Sequence, residues 1–388
     1  MKKEKIIILF TVLIDVLGLS IVIPILPFYV TDFGASPNTV TILFSVYSLF
    51  SFFSNPFLGS LSDKIGRRPI LLISILSSAI GWFVFASANS ILFLFVGRII
   101  DGIAAGNFST AQSYLVDISK DEKERAMNLG LIGAVFGIGF MIGPILGGLL
   151  SVVSHSFPFW CAGFLSVANF IFAFYNLPET NHNRSTEKIR FNPLLPLKRA
   201  ILPSSIRPQY ISYFLFIFSW AGAQSIFSLY GHAKFNFSGI QIGLMFASLG
   251  LTALLNQVYL LKRFWLKNFS DLKLEVIMFS MMTIGSFVMA SDSLILFFIS
   301  FVPIATAQAI LRVAITNQSA GKSLPQEKGM VIGTLSGIMS FAMIISPLIA
   351  GAMFEINLKF PFYFSGVLTL LAAFLSYNEL KKSHAIRF

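Results

Sequence analysis

Gly59-Ser60-Leu61-Ser62-Asp63-Lys64-Ile65-Gly66-Arg67-Arg68-Pro69 is short, polar and charged, and it stands between two long apolar runs. Residues 39–58 and 70–88 hold no Asp, Glu, Lys or Arg. A spanning helix needs about 20 predominantly apolar residues. Each run has that length, so the three cations of the loop are confined to one side of a bilayer.

The rest of the chain has the same character. Of its 388 residues, 55% are hydrophobic and only 12% charged, with a mean hydropathy of +0.79. Soluble domains carry about 25% charged residues, so a soluble globular protein is excluded. Twelve spanning helices with short connections need roughly 300–350 residues, which this length accommodates.

The net charge of +11 is distributed as a membrane protein requires, not as a nucleic-acid binder requires. Of 28 Lys and Arg, 24 fall in loops or tails on one side of the expected spans. Lys234 and Lys359 fall on the other side, and Arg98 and Arg312 lie within spans. By the positive-inside rule both termini are cytoplasmic. The single cysteine, Cys161, lies in an apolar run, so neither a disulfide framework nor a metal cluster is expected. Met1-Lys2-Lys3-Glu4-Lys5 resembles the start of a signal peptide. The run after it is too long, contains Asp15 and lacks an Ala-x-Ala site, so it reads as the first span.

The expected spans are residues 6–30, 39–58, 70–88, 91–116, 126–150 and 159–177, then 209–230, 240–261, 272–290, 294–318, 330–354 and 360–377. Between the sixth and seventh lies the longest polar break, with Arg184, Lys188, Arg190, Lys198, Arg199 and Arg207. It divides the chain into a first half at 1–178, a cytoplasmic linker at 179–208 and a second half at 209–388. An internal repeat supports the division. At a constant offset, Gly130 meets Gly333, Pro144 meets Pro347, and Gly163 meets Gly366. Phe157-Pro158-Phe159 meets Phe360-Pro361-Phe362 at the same offset.

Asp15 sits in the middle of the first span. A mid-bilayer charge costs on the order of 2.5–3.5 kcal/mol on insertion scales, so Asp15 must face protein or a water-filled cavity. A carboxyl that gains and loses a proton there is what proton coupling requires; the alternative is a permanently paired structural Asp. In the fourth span Arg98, Asp101, Ala105, Ser109 and Gln112 recur at steps of three and four. On one helix they form a polar stripe that cannot face lipid. Arg98 and Asp101, one turn apart, also fit a plain ion pair. Gln224 lies in the seventh span, and Gln308, Arg312 and Thr316 succeed one another by a turn in the tenth. Gly139, Gly143 and Gly147 recur every four residues in the fifth span and give a smooth face for close helix approach. Pro144 permits a bend there.

The pattern Gly-x-Leu-Ser-Asp-Lys-x-Gly-Arg-Arg at 59–68 resembles the loop between helices 2 and 3 of major facilitator superfamily transporters. Asp15-Val16-Leu17-Gly18 through Pro24 and Pro27 resembles the first helix of the twelve-helix drug:proton antiporters, tetracycline exporters included. The resemblance implies an all-α integral membrane fold of twelve helices in two pseudo-symmetric six-helix halves, with helices 1, 4, 7 and 10 around a central cavity. It implies proton transfer at Arg98, and an antiporter signature in Gly143-Pro144-Ile145-Leu146-Gly147-Gly148. It also implies a cytoplasmic gate of Asp63, Arg67 and Asp117, with Gly59 admitting a close approach of the eleventh span. In the ninth span Glu275 sits at the cytoplasmic end, where tetracycline exporters carry a deeper acidic residue; this speaks against tetracycline as cargo.

The function expected is proton-coupled export of small amphipathic molecules or drugs by alternating access, from a bacterial inner membrane. No cofactor is expected, since the proton gradient is the energy source. Partners are a small-molecule substrate, protons and the lipid bilayer, with the chain as a monomer and no nucleic acid. A siderophore or metabolite exporter, or a nutrient:proton symporter, shares the fold. An enzyme is not expected: the chain has no His-Glu-x-x-His and no Gly-x-Ser-x-Gly.

Overall fold

The structure is a computed structural model that describes residues 3–103, 105–181, 192–202, 204–324 and 327–385. Arg184, Lys188 and Arg190 of the expected linker lie outside the described residues. The first helices are α1 (Lys3–Thr31), α2 (Pro37–Ile65), α3 (Arg67–Ala86), α4 (Ile91–Ile103) and α5 (Asn107–Asp117). Then come α6 (Glu122–Leu150), α7 (Phe157–Asn176), α8 (Leu195–Ile201) and α9 (Arg207–Phe235). The chain continues through α10 (Gly239–Leu255), a π-helical segment (Asn256–Trp265), α11 (Leu266–Asn268) and α12 (Asp271–Met289). It ends with α13 (Leu294–Ile299), α14 (Phe301–Gly321), α15 (Lys328–Ile356) and α16 (Phe360–Ala385). Among the described residues there is no strand, and twelve helical stretches are long and apolar enough to cross a membrane. The chain is a multi-pass membrane protein.

Local sequence explains the starts. Pro stands in the first turn of α2, α7 and α9, where its missing N–H would have no helical partner. Asp121 caps α6, accepting from Glu124 N at 2.7 Å, while the Glu124 carboxylate accepts from Lys120 N at 2.9 Å. This is a reciprocal cap of the capping-box kind.

Three of the expected segments gain detail. The fourth span, Ile91–Asp117, comprises α4 and α5, with a turn at 105–106 before α5. There Gly102 lies against Tyr47 and Phe50 of α2, and Gly106 against Leu58, so α2 presses on the break. The eighth span runs on through the π segment and α11 to Asn268. Buried Asn256 holds that segment, donating to Thr306 Oγ1 at 3.2 Å and accepting from Trp265 Nε1 at 3.0 Å. The expected linker contains a short helix, α8, which packs on α15.

The chain forms two compact units, one of Met1–Pro193 with Phe237–Ser248 and one of Leu194–Asn236 with Leu249–Phe388. In the first, α1 packs most extensively on α6 and also on α7, while α3 packs on α7 and α4. Lipid is as apolar as a leucine side chain, so helices associate through close packing rather than the hydrophobic effect. Glycine permits that approach. Gly139, Gly143 and Gly147 lie against Val16, Ser20 and Ile21 of α1, and Ser20 Oγ donates to the Gly139 carbonyl at 2.9 Å. A Cβ on Gly81 would stand 3.0 Å from the Gly97 carbonyl oxygen, and one on Gly97 2.9 Å from that of Gly81. This contact sets α4 hard against α3. The start of α10 also belongs to this unit: Gly239 and Gly243 lie against Gly148 and Pro144.

In the second unit α9 packs on α15 and α16, and α12 on α14 and α16. Phe216, Phe279, Leu311 and Ile338 are fully or almost fully buried in its core. At one end Asp292, in the turn between α12 and α13, bonds to both Lys234 at the end of α9 and Lys359 beside α16. The Lys359 contact is 2.8 Å. Hydrogen bonds from the two ammonium groups push the Asp292 carboxyl down to about 2.

Two outcomes follow from these contacts. Gly147→Ala lowers the thermal midpoint of the purified protein, at the scale of about 1–3 kcal/mol that overpacking costs. Gly130→Ala does not, because a Cβ there meets nothing within 4 Å. Asp292→Asn lowers the midpoint at pH 7. The gap from the parent then closes as pH falls from the ordinary aspartate range of about 4 toward about 2, because the ionised carboxylate is lost from the parent too.

Candidate functional site

The approach of α3 and α4 at Gly81 and Gly97 sets the frame for Arg98 and Asp101. Both are buried, at 2% and 6% exposure. Arg98 Nη1 stands 3.6 Å from Asp101 Oδ2. Asp101 Oδ1 accepts from Ser78 Oγ of α3 at 3.0 Å. Three rings surround the guanidinium: Trp82 at 4.9 Å, Phe85 at 5.0 Å and Tyr47 at 5.9 Å from their centroids. Their faces supply the cation–π attraction that partly replaces water. Arg98 Nε and Nη2 have no hydrogen-bond partner among the described residues.

Asp15 comes to this cluster from α1. Asn169 of α7 lies 3.4 Å from its Oδ1, and the break before α5 brings Asn107 to it as well. Asp15 Oδ2 is shielded and has no partner among the described residues. Asp15 and Asp101 line one cavity of about 110 Å³, with Tyr47, Trp82, Phe108 and Phe136 among its walls. Water takes about 30 Å³ per molecule in the liquid, so the cavity has room for roughly three waters. Drug-sized sites run from about 300 to 1,000 Å³. The cavity therefore suits protons and water rather than a drug.

The polar stripe expected on the fourth span meets the cavity in part. Asp101 and Ala105 line the cavity, whereas Ser109 and Gln112, beyond the break, do not. Among the described residues the second unit shows no counterpart to the cluster. Gln224 and Gln308 are half-buried, and Arg312 is exposed with Nη2 3.9 Å from Met339 Sδ. Buried carboxylate chemistry in that unit falls to Glu275, at 1% exposure, which accepts from Ser376 Oγ at 2.9 Å. Tyr47, Trp82, Asn107 and Asn169 were not singled out from the sequence. Asn169 was the one most open to detection, as an amide in the middle of an apolar run.

The charged loop builds a second site. Arg67 is 8% exposed. Its Nη1 lies 2.5 Å from Asp63 Oδ1 and 2.6 Å from Ser62 Oγ, and its Nε 3.0 Å from Asp117 Oδ2. Glu179, which follows α7, completes the site. Its carboxylate accepts from Arg67 N at 2.9 Å and Arg68 N at 3.1 Å, two of the unpaired donors that open α3. It also accepts from Thr180 N and Asn181 N. Burial alone would raise the Glu179 carboxyl; the four backbone donors outweigh it and hold the group below the usual glutamate range. Asn181 Nδ2 donates to the Asp63 carbonyl at 2.9 Å, near the end of α2. Gly66, between α2 and α3, has φ +112°, and a Cβ there would collide with Glu179. All these partners belong to the first unit. Within the first unit a Cβ at Gly59 would meet nothing described within 4 Å.

With both sites in place, the likeness to known proteins becomes specific. Quinolone resistance protein NorA of Staphylococcus aureus (strain COL) is 28% identical over 365 residues, covering 94% of this chain and 93% of that protein. The class C tetracycline resistance protein of Escherichia coli is 31% identical over 259 residues, 66% of this chain and 65% of that one. Among solved structures, the human organic anion transporter MFSD10 (TETRAN) superposes with a TM-score of 0.75 at 24% identity, covering 97% of this chain and 99% of that chain. A POT family transporter in complex with 5-aminolevulinic acid gives 0.81 at 14% identity, over 98% and 96%. These two show the fold alone. A family model described as Major Facilitator Superfamily matches residues 8–264 and 210–385. The chain belongs to the Major Facilitator Superfamily.

Proposed function

We propose that this protein is a secondary transporter that exchanges protons for small amphipathic molecules and exports them by alternating access. The cluster of Asp15, Asp101 and Arg98 carries this reading. Fully ionised, it holds two carboxylates against one guanidinium, so uptake of one proton makes it neutral. Charge within the hydrocarbon region is costly, so the charge state of such a site biases the conformations that expose it. A coupling ion acts only through a differential affinity for two states. Arg98 holds one carboxylate, and Asp15, with an oxygen free of partners, carries the exchangeable proton.

Export rather than import is supported by the glycine face at Gly139, Gly143 and Gly147 and by relatives named for resistance to quinolones and tetracycline. Small aromatic amphipaths of that kind are the substrates to test first. The junction of Asp63, Arg67, Asp117 and Glu179 serves as the cytoplasmic gate. It ties the ends of α2 and α5 and the start of α3 to the segment after α7, so none of them shifts alone. The protein resides in the bacterial inner membrane with both termini cytoplasmic and draws on the proton gradient alone.

One charge crossing 100 mV releases about 2.3 kcal/mol and a tenfold concentration step costs about 1.4, so one proton sustains roughly a fiftyfold outward gradient if one net charge moves. Intracellular accumulation of a fluorescent quinolone is measured in efflux-deficient bacteria, with a protonophore added midway. The parent keeps accumulation low until the protonophore is added. Asp15→Asn gives high accumulation from the start at undiminished membrane expression. Persistence of export and its pH dependence in that variant overturns the assignment. Glu179→Ala lowers the thermal midpoint, by roughly 1–2 kcal/mol for a charged acceptor lost at a partly exposed helix start. The carboxylate's contribution is present above the ordinary glutamate range and lost on acidification through its lowered value, so the two proteins converge at low pH.

A further inference from the structure

Where α9 begins and α16 ends, the second unit has an open pocket of about 410 Å³. Its rim is polar and basic, with Arg207 and Lys382 joined by Ser204 and Asn378. Its wall is apolar, formed by Pro208, Ile211 and Leu375. We propose that this pocket binds the headgroup of an anionic phospholipid, with the acyl chains lying along the apolar surface that continues from it.

The charge pattern supports this occupant. Glu379 is the one carboxylate in the lining, and it is already shared between Lys322 and Lys382, each at 3.3 Å. Arg207 is exposed and takes part in no ion pair among the described residues. The Lys382 side chain is 72% exposed, so its ammonium can turn to an incoming anion. Buried Glu275 is occupied inward with Ser376. One cation is left uncompensated, and a second is half-committed. Guanidinium is the side chain best matched to a phosphodiester, since its planar fork donates two parallel hydrogen bonds. Ser204 and Asn378 add neutral donors beside it.

The apolar part distinguishes a lipid from a free anion. Ile211 lies one turn beyond Arg207 on α9 and is 38% exposed. On α16, Leu371 and Phe374, at 51% and 62% exposure, lie on the side of Leu375 away from Lys382. An anion at the rim with hydrocarbon below it is the layout of a phospholipid at the membrane surface. Basic pockets between spanning helices at that level recognise anionic headgroups. A bound headgroup takes over Lys382, leaves Glu379 to Lys322, and so braces α9 against α16.

The test is native mass spectrometry on the purified full chain in detergent, titrated with phosphatidylglycerol, phosphatidylcholine or inorganic phosphate. The parent retains phosphatidylglycerol preferentially. The Arg207→Gln/Lys382→Gln pair loses that preference by about thirtyfold, at roughly fivefold per cation, and binds phosphatidylcholine as before. A charge-matched pair on α8, Lys198→Gln/Arg199→Gln, keeps it. An equal loss in the α8 pair would mean general surface charge and overturn the site. So would undiminished phosphatidylglycerol binding in the pocket variant. Inorganic phosphate that displaces the lipid at similar concentration would overturn the role of the apolar wall, leaving an anion site only. Unchanged phosphatidylcholine binding and elution volume establish that the variant is folded.

Discussion

A guanidinium enclosed within a membrane-spanning bundle is the constraint on which the first unit depends. Arg98 is almost without exposure, so bulk water does not solvate it. Asp101 on the next turn and the faces of Trp82, Phe85 and Tyr47 take water's place. That solution requires α3 to come within glycine distance of α4, and Gly81 and Gly97 meet the requirement from both sides. One acid suffices to balance Arg98. The second, Asp15, faces the same cavity with one oxygen that has no partner among the described residues. Chemistry and packing thus meet at one place: the residue hardest to bury sits where two glycines bring α3 and α4 backbone to backbone.

The polar end of the same unit is built by the opposite device. There helix ends must be satisfied, and a loop carboxylate does it. Glu179 accepts from the opening N–H groups of α3, while Asn181 donates to carbonyls at the end of α2. The tight reversal at Gly66 leaves room for that carboxylate, and a larger residue would expel it. The loop between α2 and α3 therefore has two anchors. Its charges hold it out of the membrane, and its backbone is keyed to a segment more than a hundred residues on.

How much of this was legible in the sequence depends on how local the cause is. The twelve spans follow from length and apolar composition, and Asp15, Arg98 and Asp101 stand out because charge in an apolar run is costly. The glycines of α6 were legible by their spacing, and their partner surface on α1 was not, since Val16, Ser20 and Ile21 carry no mark of it. The break between α4 and α5 was hidden because Gly102 and Gly106 read equally well as packing residues; α2 pressing on them decides the matter. Glu179 was hidden because an acid in a polar loop is unremarkable until the fold brings a helix start to it. The π segment is held by Asn256 through Thr306 and Trp265, a three-point contact with no local pattern.

Lys234 and Lys359 were the two cations on the wrong side of an otherwise one-sided distribution. Both end on Asp292. Orientation during synthesis is set mainly by Lys and Arg, with acids counting little. Asp292 emerges after Lys234, so that lysine is not neutralised when its own segment is threaded, and Lys359 follows 67 residues after the acid it meets. Their crossing must be carried by the heavier basic clusters on the opposite side. Once the last helix is in place, the same acid converts two topological liabilities into a clasp joining three turns of the finished bundle. The far-side lysines thus act against insertion at one stage and secure its product at the next.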